Sequence, residues 1–292
     1  MKQKIMLLLF WTISIASAAV AENRKINLLA AAAEHLVQFE VKRTKESFNQ
    51  KGLKLFVTNT GKEALVVKVD AALLFEASDS NYQDLMLPGN EVLYVGPGKT
   101  NTIEVQTYCA KSYAMSPDSA LAFTFKKQAD SNSIKTFEYM RSIGAKSDLA
   151  QQAVWFLTDH HKRLSAVFAA EQEKESILLN QFLARLFHMP LPAYRTERGI
   201  NTAPGMVAQT PEILKLHVNL EWEQSSPEVL SLSIFNSRNE RVASYFEDKQ
   251  VRKGKGKITA SFETVDYPKG EYSVRLYNDI GNVLKEVKVD LE

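Results

Sequence analysis

Residues 147–168 read SDLAQQAVWFLTDHHKRLSAVF, and this stretch decides how the chain divides. Leu149, Ala150, Ala153, Val154, Phe156 and Leu157 recur at the spacing of one helical face, so an amphipathic helix sits between two long segments that read as strands. Asp148, followed by Gln151 three residues on, has the form of an N-terminal capping box. Gln151 and Trp155 are four residues apart and share a face. Spacing leaves their role open: Gln151 closes the capping box while Trp155 fills a core, or both serve a site.

Upstream, Leu36 to Phe125 has the alternation of short strands. Leu53, Leu55 and Val57 alternate before an Asn59-Thr60-Gly61 turn, Leu65–Leu74 and Glu91–Val95 are β-prone runs, and Thr102 leads to Cys109 with Ile103, Val105, Thr107 and Cys109 on one side. About seven strands in this span predict an antiparallel sandwich. Helical spacing then covers Ile134–Ile143, Asp148 to Asp159, Leu164–Ala170 and Glu171–Met189, the last with a stripe of Leu178, Leu179, Phe182, Leu183, Leu186 and Phe187. Pro190 to Pro211 holds four prolines with Gly199 and Gly205, the composition of an extended linker. Beyond it, strands are expected at Leu214–Trp222, Val229–Ser237, Arg241–Glu247, Lys257–Phe262, Gly270–Asn278 and Val283–Leu291. The expected fold is mainly β with a helical insert: an antiparallel sandwich over 22–130, a helical subdomain packed on it over 131–189, a linker over 190–211, and an immunoglobulin-like sandwich over 212–292.

Residues 1–21 have the form of a signal peptide, with Lys2 and Lys4 before an apolar run and Ala19, Val20 and Ala21 as the cleavage region. Maturation there would leave 34 basic side chains against 34 acidic ones, a balance that removes the electrostatic basis for nucleic-acid binding. No later segment is long enough to span a membrane by apolar length. The expected location is therefore the periplasm, the outer surface or the extracellular space. Cys109 is the single cysteine, so such a chain has no disulfide of its own.

Tyr108 and Cys109, with the helix Ala150-Gln151-Gln152-Ala153-Val154-Trp155, resemble the two halves of the internal-thioester domain of bacterial surface adhesins. The resemblance implies that the Cys109 thiol condenses with the Gln151 side chain, expelling ammonia and leaving a carbonyl that a partner's amine can attack. It makes Tyr108 and Trp155 the shielding aromatics. The C-terminal segment from Tyr267-Pro268-Lys269-Gly270-Glu271-Tyr272 onward resembles small immunoglobulin-like modules of exported bacterial proteins, of the flagellar-hook-cap type or the sorting type of gliding-bacterial secretion systems.

Other constellations are weaker. Asp159, His160 and His161 offer metal-ligand chemistry, but neighbours at a helix end diverge, and a solvated C-terminus suits them better. A thiol- or metal-dependent hydrolase would have to be built on Cys109, His160 and His161. Lys249, Arg252, Lys253, Lys255 and Lys257 crowd into nine residues, as a solvated hairpin or an anion-binding edge. Gly98-Lys99-Thr100 is a β-turn, since the first glycine of a phosphate loop would fall at Leu93. The expectation is a non-enzymatic envelope or surface interaction protein without a cofactor, its partner a protein or a surface polysaccharide, with the thioester adhesin as the alternative.

Overall fold

The structure is a computed structural model and describes residues 23–48, 50–118, 120–159 and 163–291. The expected leader lies outside the described residues, as do His160 and His161. The chain is mainly β with a helical insert.

Among the described residues ten strands precede the helical insert: β1 (Arg24–Asn27), β2 (Val37–Arg43), β3 (Leu53–Asn59), β4 (Leu65–Lys68), β5 (Leu73–Ala77), β6 (Leu85–Leu87), β7 (Val92–Val95), β8 (Thr100–Val105), β9 (Tyr108–Cys109) and β10 (Phe123–Gln128), with the short helix α1 (Leu28–Ala33) after β1. They form three sheets ordered β1-β4-β7, β2-β3-β8 and β10-β5-β6-β9. Strict alternation places Leu53, Leu55 and Val57 of β3, and Leu65 and Val67 of β4, into one core shared by all three sheets.

The third sheet differs because it is covered on both faces. Leu73, Phe75, Leu85, Leu87 and Cys109 point into the sandwich core, while Leu74, Met86 and Tyr108 point the other way, under the helices. A strand buried on both sides reads as a continuous apolar run, as Leu73-Leu74-Phe75 and Leu85-Met86-Leu87 do. The helical subdomain covers the row formed by Leu74, Met86 and Tyr108.

Three helices of 12 to 14 residues make that cover: α2 (Ser131–Ser142), α3 (Ser147–Thr158) and α4 (Glu173–Leu186). Phe137 and Met140 of α2, Leu149 and Val154 of α3, and Leu179 and Leu183 of α4 meet over the sheet. The expected third helix is instead a pair of 3₁₀ turns, Leu164–Ala166 and Ala170–Gln172.

The segment 190–211 is more ordered than its composition predicts. Tyr194–Glu197 forms β11, which pairs antiparallel with β12 (Lys215–Gln224) of the C-terminal unit. A few residues later the chain returns to the N-terminal unit: the amide of Ser116 donates to Met206 and the amide of Ala208 to Ala114, and Ala208 is fully buried in the sandwich core. Gln209 Nε2 donates to Gln152 Oε1 on α3 at 2.7 Å.

The remaining strands are β13 (Glu228–Asn236), β14 (Arg241–Val251), β15 (Gly254–Glu263), β16 (Gly270–Asn278) and β17 (Val283–Leu291). The sheets run β11-β12-β15 and β14-β13-β16-β17 and enclose Leu216, Val218, Leu232, Ile234, Val274 and Leu276. This three-on-four order is immunoglobulin-like. The Tyr272 hydroxyl, near the start of β16, donates to the Pro268 carbonyl at 2.8 Å, as the tyrosine corner of such sandwiches does.

Candidate functional site

Cys109 and Gln151 lie 42 residues apart in sequence and meet in space. Thr102 to Cys109 is not one strand. It breaks at Gln106–Thr107, where the Thr107 hydroxyl donates to the Phe48 carbonyl at 2.6 Å and its amide to Gln50, so the chain leaves one sheet and enters another. β9 is the edge strand of the doubly covered sheet, and its residue Cys109 faces Leu85 of β6.

The amide of the next residue, Ala110, donates to Asp84. In an antiparallel ladder hydrogen-bonded and non-hydrogen-bonded pairs alternate, so Cys109 occupies a non-hydrogen-bonded position and both of its backbone groups face away from β6. Helix α3 covers that edge, where unpaired groups would be costly. The Gln151 side chain satisfies both: its Oε1 accepts from the Cys109 amide at 2.9 Å and its Nε2 donates to the Cys109 carbonyl at 2.8 Å. A carboxamide has the donor and acceptor of a peptide group, so one side chain stands in for a neighbouring strand.

This overturns the capping-box reading. α3 begins at Ser147 with Lys146 at the N-cap and no side-chain cap bond, and Gln151 is spent on Cys109 instead of on Asp148. Burial raises the Asp148 carboxyl above its ordinary range, with Glu171 adding to the shift.

The loop after Cys109 is held from several sides. Gln83 accepts from the Lys111 amide at 2.6 Å and donates to the Ala114 carbonyl at 2.8 Å. Lys111 Nζ pairs with the buried Asp84 at 2.8 Å, and the Ser112 hydroxyl donates to Asp159 Oδ2 at 2.7 Å. Asp159 therefore serves the loop, and among the described residues no cluster of three His, Cys, Asp or Glu side chains forms a metal site.

The two aromatics separate. Trp155 is the one apolar α3 side chain that joins the sandwich core with Cys109, and its indole Nε1 has no acceptor. Tyr108 points to the opposite face of the sheet, stacked on Phe137 with centroids 6.2 Å apart. Trp155 thus shares the thiol's surroundings, whereas Tyr108 belongs to the helical layer. Burial pushes the Cys109 thiol well above its ordinary pKa against the opposing charge of Arg43, and lifts Tyr108 to about 12. The thiol is therefore protonated at neutral pH and in a dry layer. Sequence reasoning missed Arg43, whose Nη1 donates to the Gly52 carbonyl at 2.7 Å; no local motif marks it.

The basic run proves not to be a hairpin. β14 belongs to one sheet and β15 to the other, so Arg252 and Lys253 turn the corner between sheets. Lys249 lies over the Phe246 ring and Lys257 pairs with Glu221 at 2.8 Å, while all five cations are exposed. No helix among the described residues is long and apolar enough to cross a membrane.

No protein-family model and no curated protein matches the sequence. Among solved structures, the chain is similar to a β-glucosidase from Kluyveromyces marxianus at 10% identity and a TM-score of 0.21, over 88% of this chain and 48% of that one. A likeness at that level carries no functional argument.

Proposed function

We propose that this chain is a non-enzymatic interaction protein of the cell envelope or surface, and that its N-terminal unit makes a covalent contact through Cys109 and Gln151. The observation that supports this reading is the two-bond clamp of the Gln151 carboxamide on Cys109, inside a layer that excludes water.

The chemistry balances with these two side chains alone. The Cys109 sulfur bonds to the Gln151 carbonyl carbon, the C–N bond breaks, and ammonia leaves with the thiol proton. A partner amine then bonds to that carbon, the C–S bond breaks, and the amine proton returns to sulfur. Exclusion of water protects such an acyl group from hydrolysis, and the Trp155 indole adds to the cover. Condensation gives up the bond from Gln151 Nε2 to the Cys109 carbonyl, at a cost of about 1–3 kcal/mol.

Intact-mass spectrometry of the purified full chain tests the proposal. The expected mass is lower than the sequence mass by one ammonia, with methylamine adding to the product and Cys109→Ala abolishing both effects. An unmodified mass, with one thiol titrating after denaturation, would reduce Gln151 to a backbone clamp and end the covalent reading.

A further inference from the structure

The outer face of the four-stranded C-terminal sheet carries a depression of about 320 Å³ lined mostly by charged, amide and hydroxyl residues. Register places Glu271 opposite Asp290, Ser273 opposite Lys288, and Arg275 opposite Glu286, while Tyr272, Val274 and Leu276 between them face the core. Ser273 forms the floor. It is only 7% exposed, and its small side chain leaves the space that the longer neighbours surround.

The walls are fixed before anything binds. Arg275 donates to Glu286 at 2.7 Å, is tied to Asn239 and lies over the Phe235 ring. Across the unit boundary Arg163 pairs with Asp290 at 2.8 Å, and the Tyr194 hydroxyl accepts from both the Arg163 side chain and the Asp290 amide. Three cations, Arg163, Arg275 and Lys288, balance three anions, Glu271, Glu286 and Asp290. Such a lining gives no net attraction to an ionised ligand and sets like charges against either sign. Planar guanidinium, carboxylate and amide groups, oriented by one another, suit the paired donors and acceptors of neighbouring hydroxyls.

We infer that this depression binds a segment of a neutral oligosaccharide. The site is independent of Cys109 and Gln151. Titration calorimetry of the full chain against cellohexaose, laminarihexaose, maltohexaose and chitohexaose, with inorganic phosphate as the anionic probe, tests it. At least one oligosaccharide is expected to bind with a Kd of about 10⁻⁴ to 10⁻³ M, the range a few polar contacts in a shallow site support. Glu271→Ala and Lys288→Ala, both at exposed positions, should each weaken it about tenfold without moving the melting temperature. Ser273→Trp should fill the floor and abolish binding, and Cys109→Ala should leave it intact. The inference is overturned if no oligosaccharide binds, if binding ignores Glu271→Ala and Lys288→Ala, or if phosphate binds in preference.

Discussion

Replacing Gln151 with leucine in a Cys109→Ala background isolates the clamp, because the backbone at 109 remains while the thiol is gone. Two buried main-chain groups then lose their partners, at about 1–3 kcal/mol each. Burial of the leucine side chain returns about 1.5–3 kcal/mol, so the expected net loss is about 2 kcal/mol. Urea unfolding followed by tryptophan fluorescence reads that loss, and hydrogen exchange at the 109 amide reads its origin. Gln151→Glu sharpens the test. Its carboxylate can accept from the 109 amide but cannot donate to the 109 carbonyl, and it carries charge into a dry layer; the protonated acid restores both bonds. Its folded-state pKa is therefore raised, and the variant should be most stable below the ordinary glutamate range, losing stability as pH rises through the raised value. A Gln151→Leu protein within about 0.5 kcal/mol of its parent, with unchanged exchange at 109, would refute the view that this carboxamide replaces a strand.

Three further outcomes follow from the geometry. Tyr272→Phe removes the hydroxyl bond to Pro268 and should cost about 1 kcal/mol in denaturant unfolding of the C-terminal unit. Gly256 lies directly across from Trp222, and a Cβ there would come within 2.2 Å of the indole, so Gly256→Ala should destabilise by about 1–3 kcal/mol in the same assay. Burial raises the folded-state pKa of Tyr108 to about 12, so the unfolded chain loses that proton first as pH climbs. Its contribution is complete below the ordinary phenol range and fades as pH rises through the raised value; Tyr108→Phe should flatten that alkaline slope in melting temperature against pH.

The C-terminal strands were legible because each carries its own alternation and is bounded by turn residues: Gly270–Asn278 and Val283–Leu291 fall where the pattern places them. The fourth helix was equally plain from its apolar stripe. Strand β6 was not, since three consecutive buried residues show no period, and β11 was hidden by proline and glycine neighbours that signal loop. Leu65–Leu74 reads as one strand but turns at Asp70-Ala71-Ala72, where Ala72 takes a φ of 60° and joins two sheets. At the candidate site, the pairing of residue types came from motif resemblance, whereas the use made of Gln151 could not be read locally. A capping box is a contact three residues long; the bond that wins spans 42 and leaves no periodic trace.

The stitching of residues 194–210 into both halves constrains how the gene can be cut. A fragment starting at 212 would lack the outermost strand of its three-stranded sheet and present the bare flank of β12 to solvent, while one stopping at 189 would leave a hole where Ala208 belongs. Attempts to study either half alone should therefore overlap, each keeping its own copy of that seam.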